Sequence, residues 1–197
     1  MPRKQAIVKE EKEVASIKEE KKEIEKFEAI LSGQRVICEE NDFSRTLYDQ
    51  SRFGELKDGK IQYSLVEALF LMERGKISIK NEKGKELSFD SFIKTVVKLE
   101  PNFWKRYCVY RDLRSRGYIV KTALKFGADF RVYDRGVKPG EDHAKWIVYP
   151  VQESETLTWY EFAAKNRVAH STRKKLMLGI VDDENDVTYY SVSWIRP

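Results

Sequence analysis

Residues 105–149 read KRYCVYRDLRSRGYIVKTALKFGADFRVYDRGVKPGEDHAKWIVY. Pro101 suits the first turn of a helix that runs through Trp104 and Tyr110 to Arg116, and Gly117 suits its C-terminal stop. YIVKTA, ADFRVY and HAKWIVY then read as strands, the last two joined by a loop that Gly136, Pro139 and Gly140 punctuate. The stretch holds eleven Lys or Arg against five Asp or Glu, a surplus of six in a chain of net charge +5. Concentrated basic charge threaded with aromatics suits a phosphate backbone. His143, one of two histidines in the chain, lies in the same stretch. An imidazole there can move protons near neutral pH.

Downstream, Thr158-Trp159-Tyr160-Glu161 has capping-box spacing and opens a helix that ends near His170. KKLMLGIVD and VTYYSVSWI are two further strands joined by the acidic turn DDEND. The order α, β, β, β, α, β, β predicts a mixed-sheet α/β domain over residues 101–197. Upstream, RVICEE forms a strand and YDQSRFGELKDGKIQYS a turn-rich ribbon around Asp58-Gly59. Ser64 and Glu67 make a second capping box ahead of ALFLMER, KISIK alternates as a strand, and Ser88 opens SFDSFIKTVVKLE. These elements predict an N-terminal α/β domain over residues 33–100. Residues 1–30 hold eight basic and eight acidic side chains and no glycine. Val14, Ile17, Ile24, Phe27 and Leu31 recur at helical spacing, which predicts an amphipathic helix from about 8 to 31 within a charged segment 1–32. The fold class expected is α/β (α+β): two small mixed domains behind a charged helix.

Composition narrows the function classes. No apolar run approaches the roughly 18 residues of a membrane span, and no apolar signal core opens the chain, so a cytoplasmic protein without membrane contact is expected. Cys38 and Cys108 lack CxxC spacing and read as small buried residues. P-loop, GxGxxG, HExxH and GxSxG motifs are all missing. Two histidines and two cysteines make no convincing zinc site, and Asp129, Asp134, Glu141 and Asp142 are too scattered for a magnesium cluster. No metal site and no cofactor are expected.

RNA offers a route without metal. A base takes the proton of a 2′-hydroxyl, the oxygen attacks the adjacent phosphorus, an acid protonates the departing 5′-oxygen, and a cation stabilises the extra negative charge. His143 is the natural acid or base. His170 ends a helix, where an imidazole can simply favour the C-terminal dipole. Taken alone, Tyr133 reads as a strand aromatic and Lys174 as a solvated charge.

LRSRGYIVKTALKFGADFRVYDRG (113–136), His143 in HAKWIVY and RVAHSTRKKLMLGIVDDENDVTYYSV (167–192) together resemble the archaeal tRNA-splicing endonucleases. YDQSRFGELKDGKIQYSLVEALFLMERGKI resembles the N-terminal domain of that family, so the likeness covers roughly residues 33–197. It implies a metal-independent, lyase-type endonuclease that cuts intron-containing precursor tRNA at both junctions of a bulge–helix–bulge. The products implied carry 2′,3′-cyclic phosphate and 5′-hydroxyl ends. The family's general base falls on Tyr133, its general acid on His143 and its charge stabiliser on Lys174. A free phenol ionises near pH ~10, so a tyrosine base needs a nearby cation, a part Lys174 can also fill.

Arg167 matches an arginine that stacks on a bulge nucleotide, and Trp194 is the candidate for the second stacking group, its plainer alternative being a strand or interface aromatic. The acidic turn Asp182, Asp183, Glu184, Asp186 matches a loop that enters a basic cleft of a neighbouring subunit, and the last strand is implied to pair across a dimer. A homotetramer, or a heterotetramer with a noncatalytic paralogous subunit, is implied. A noncatalytic RNA-binding subunit should have lost one of Tyr133, His143 and Lys174, and a carboxylate-and-metal nuclease should be sensitive to EDTA.

Overall fold

The structure, a computed structural model, describes residues 26–124, 127–137, 140 and 143–195. The first sheet has six strands: β1 (Phe27–Ser32), β2 (Arg35–Glu39), β3 (Glu55–Lys57), β4 (Lys60–Ser64), β5 (Ile77–Lys80) and β6 (Glu86–Leu87). Their spatial order is β3-β4-β2-β1-β5-β6. Only β1 and β5 run parallel. Helices α1 (Asp42–Ser51), α2 (Leu65–Glu73) and α3 (Phe89–Leu99) interleave with these strands.

Both capping boxes form. Ser64 and Glu67 satisfy each other's backbone amides at the start of α2. Thr158 and Glu161 do the same for α5 (Trp159–Ser171). Helix α2 is buried on every side from Leu65 to Leu71, consistent with a sequence apolar all round apart from Glu67. Each large apolar side chain removed from water there stabilises by about 1.5–3 kcal/mol.

Helix α4 (Phe103–Ser115) joins the first sheet's core to a second sheet of five strands: β7 (Ile119–Thr122), β8 (Phe130–Tyr133), β9 (Trp146–Gln152), β10 (Lys175–Val181) and β11 (Val187–Val192). Their order is β11-β10-β9-β8-β7, with only β9 and β10 parallel. One face packs on α4, so Val120, Phe130, Val132 and Val148 share a continuous core with Tyr107, Tyr110, Leu69 and Phe70. The opposite face packs on α5 through Ile147, Tyr149, Ala169 and Leu176. At Gly179 the helix α4 comes so close to β10 that a Cβ would lie 2.9 Å from Val109 Cγ2.

Three expectations need correction. Phe27–Ser32 is a strand, not the end of a helix, with inward Phe27, Ala29 and Leu31 alternating with exposed neighbours. The rest of that expected helix, residues 8–25, lies outside the described residues. Tyr48–Ser51 closes α1, so the ribbon starts only at Glu55. Strand β9 starts at Trp146, which puts His143 on the approach to the strand.

Candidate functional site at the ends of three strands

The second sheet has one end where β8 stops and where β9 and β10 begin. Val132 on β8, Trp146 on β9 and Lys175 on β10 form one rung across the sheet. Lys145 N donates to Val132 O at 2.9 Å, and Lys175 N donates to Lys145 O at 3.0 Å. One step beyond that rung stand Tyr133, Lys145 and Lys174, with His143 two residues before Lys145. Neighbouring strands lie about 4.8 Å apart, so the backbones of Tyr133 and Lys174 are separated by roughly 10 Å. Side chains the length of tyrosine and lysine are long enough to reach across such a gap. The register therefore brings residues 133 and 174, far apart in sequence, to one end of one sheet, and His143 precedes the rung's Lys145 by two residues.

Their environments differ. Tyr133 is 4% exposed, with the Arg131 guanidinium 6.0 Å from its ring centroid. His143 is exposed. Lys174 is half-buried at the sharp exit of α5, where its backbone N–H donates to Ala169 O and its Nζ donates to Thr172 O, each at 2.8 Å. Arg173 takes φ +55°, the left-handed turn that redirects the chain from helix into strand. Thr172 Oγ1 ties this corner to the Val168 carbonyl at 2.8 Å. Beside the rung, Lys145 Nζ lies 2.6 Å from Asp134 Oδ2, a hydrogen bond that holds the Asp134 carboxyl below the usual carboxylate range.

Arg167 and Trp194 border one open groove with a volume of about 670 Å³. It adjoins a recess of about 190 Å³ that Lys174 helps to line. His170, which the sequence assigns only to the helix dipole, borders both hollows and meets the Trp194 ring edge to face, centroids 4.7 Å apart. The spacing Phe162, Asn166, His170 is the signal that sequence reading passed over: it sets three residues on one helical face.

The acidic turn lies at the opposite end of β10. Asp182 Oδ1 accepts the Asp186 N–H at 2.8 Å, and Asn185 takes φ +69°. Asn185 Oδ1 accepts from Trp104 Nε1 at 2.5 Å, which fixes the turn to α4. Asp183, Glu184 and Asp186 are exposed and Asp182 is half-buried. The turn is thus remote from Tyr133, His143 and Lys174.

Two family models match the chain. Residues 27–93 match the tRNA intron endonuclease N-terminal domain, and residues 103–189 match the tRNA intron endonuclease catalytic C-terminal domain. The chain belongs to the tRNA-splicing endonuclease family. It is 44% identical to a tRNA-splicing endonuclease of Thermococcus onnurineus over 172 residues, 87% of this chain and 98% of that protein. A relative of the same description from Methanothermobacter thermautotrophicus is 41% identical over 172 residues, 87% of this chain and 99% of its own length. One from Nanoarchaeum equitans reaches 49% over 139 residues, 68% of this chain and 88% of its own. The match to the catalytic domain spans Tyr133, His143, Arg167, Lys174 and the acidic turn, and stops before Trp194.

Proposed function

We propose that this protein cuts intron-containing precursor tRNA at both exon–intron junctions of a bulge–helix–bulge, without metal or cofactor. The observation that carries the proposal is the rung Tyr133–Lys145–Lys174 with His143 beside it, set in the segment that matches the catalytic domain. Tyr133 Oη takes the proton of the 2′-hydroxyl, and O2′ forms a bond to phosphorus. The bond from phosphorus to O5′ breaks as His143 delivers a proton to O5′. Lys174 neutralises the charge that grows on the non-bridging oxygens. Atoms balance to a 2′,3′-cyclic phosphate and a 5′-hydroxyl, which makes the enzyme a lyase-type endoribonuclease. Each proton transfer contributes about 10²–10⁴-fold, and preorganised charge at the phosphoryl oxygens is often the larger share.

Arg167 and Trp194 stack on the two faces of one unstacked bulge base; their shared groove supports this role. The turn Asp182, Asp183, Glu184, Asp186 enters a basic cleft on a neighbouring subunit, and its exposed carboxylates suit that contact better than RNA. Strand β11 is an open sheet edge with Tyr190 59% exposed, which supports pairing with a second copy. Two scissile bonds per intron require two active sites in one assembly, a requirement that a homotetramer, or a heterotetramer with a noncatalytic paralogue, meets. The deciding experiment incubates a bulge–helix–bulge RNA with the purified chain in EDTA and identifies the ends. Cyclic phosphate and 5′-hydroxyl products are expected; cleavage only with added metal, or 3′-hydroxyl and 5′-phosphate ends, would refute the proposal.

A further inference from the structure

The groove beside Lys174 contains polar edges that stacking alone leaves unused. Phe162, Asn166 and His170 follow at i, i+4 and i+8 on α5 and so share one helical face. Asn166, His170 and Trp194 border both the large groove and the smaller recess. Asn166 Nδ2 donates to Phe162 O at 3.1 Å. That bond uses one of the two amide N–H groups and faces the nitrogen toward the helix, and Oδ1 is left as an acceptor to which none of the described residues donates. The Trp194 ring is 59% exposed, and among the described residues its ring partner is His170, at an interplanar angle of 76°. Edge-to-face contact of this kind restricts the orientation of an otherwise solvated indole.

We propose that the groove selects as well as stacks: Asn166 Oδ1 accepts a hydrogen bond from the exocyclic amine of the unstacked base, while His170 holds Trp194 in its stacking orientation. The proposal rests on the stacking roles given above to Arg167 and Trp194. Asn166 is a specificity residue, and His170 is a positioning residue that acts through Trp194. A base with an amine on its pairing edge is favoured, adenine and cytosine foremost. Uracil presents a carbonyl there, and a carbonyl facing Oδ1 repels it.

The test uses bulge–helix–bulge RNAs in which each bulge position in turn carries adenosine or purine riboside, which lacks the 6-amino group. With the native chain, KM should rise about threefold to tenfold for purine riboside at one position, with kcat unchanged, as one hydrogen bond is lost. Asn166→Leu should raise KM for the adenosine RNA to the same level and abolish the difference. His170→Ala should raise KM for both RNAs equally, and His170→Phe, which retains a ring edge, should restore it. Tryptophan emission that responds to RNA should be altered in His170→Ala, be retained in His170→Phe and vanish in Trp194→Phe. A native enzyme that cuts the adenosine RNA but shows equal KM values at every bulge position overturns base selection alone, as does discrimination that survives Asn166→Leu. A chain that neither cuts nor binds these RNAs overturns both this inference and the endonuclease proposal.

Discussion

The seam between the two sheets and the rim at the strand ends of the second are built on opposite principles. At the seam, Glu67 is 5% exposed and its two oxygens accept four hydrogen bonds. Oε1 takes Gly54 N–H at 3.1 Å and Lys121 Nζ at 3.2 Å, and Oε2 takes Ser64 N–H at 2.9 Å and Ser64 Oγ at 2.8 Å. Lys121 also donates to Gly54 O at 2.7 Å, so a lysine of β7 is tied to the start of α2. Arg114 adds a guanidinium 3.9 Å from the Phe53 ring centroid and a hydrogen bond to Ser51 O. At the rim, Arg167, His170 and Trp194 stand exposed around a groove, and Lys174 Nζ donates to a carbonyl two residues away. The saturated Glu67 carboxylate and its lysine hold the fold, whereas exposed polar groups at an open edge are available to a ligand. Substitutions at the seam should therefore cost stability, and substitutions at the rim should cost activity.

The largest expected effects lie at the rim. Tyr133→Phe, His143→Ala and Lys174→Ala should each lower the single-turnover cleavage rate by about 10²–10⁴-fold. Thermal unfolding followed by circular dichroism should find all three close to the native midpoint. A collapse of Tm alongside the rate would erase the contrast.

Glu67→Gln is the corresponding break at the seam. It leaves the Lys121 ammonium buried without its anion, a loss of about 3–5 kcal/mol measured by denaturant unfolding. This variant also tests the pH dependence. Burial raises the Glu67 pKa, but Lys121 and the bonds from Ser64 and Gly54 outweigh it, so the folded value lies below the usual carboxylate range. Its stabilisation is complete above the unfolded value of about 4.3 and is lost as pH falls through the lower folded value. The native chain should weaken across that acid window, and Glu67→Gln should flatten that limb of its stability curve.

Gly179→Ala should act more mildly, because the added methyl would meet Val109 Cγ2 at 2.9 Å and force α4 away from β10. Overpacking of this kind costs about 1–3 kcal/mol. The smallest effect on stability belongs to Lys145→Ala. Its ion pair with Asp134 is about half exposed on both sides, and exposed pairs add little, so Tm should not move.

Legibility in the sequence followed the range of the interaction. The capping boxes at Ser64–Glu67 and Thr158–Glu161 are local, so spacing alone located α2 and α5. Phe27 and Leu31 stand four apart, a separation that fits a helical stripe and the inward face of a strand equally well. Pairing with β2 and β5, up to fifty residues away, decides for the strand. Glu67 reads as a cap and gives no sign of Lys121, which reaches it only through the tertiary fold. At the rim the pattern is similar. Family resemblance singled out Tyr133 and Lys174, whose bare spacing carries no signal because cross-strand register brings them together. Asn166 and His170 were available as an i, i+4 pair but meant nothing until Trp194 was placed opposite them.

The claim that the rim performs metal-free transesterification is most directly tested through its acid. Single-turnover cleavage is measured in EDTA with an ordinary bulge–helix–bulge RNA and with one whose scissile 5′-oxygen is sulfur, a leaving group that needs no protonation. His143→Ala should be slower than the native chain by about 10²–10⁴-fold on the oxygen substrate and should regain most of that loss on the sulfur substrate. Equal impairment on both substrates, or native-like cleavage by His143→Ala on the oxygen substrate, would contradict the account.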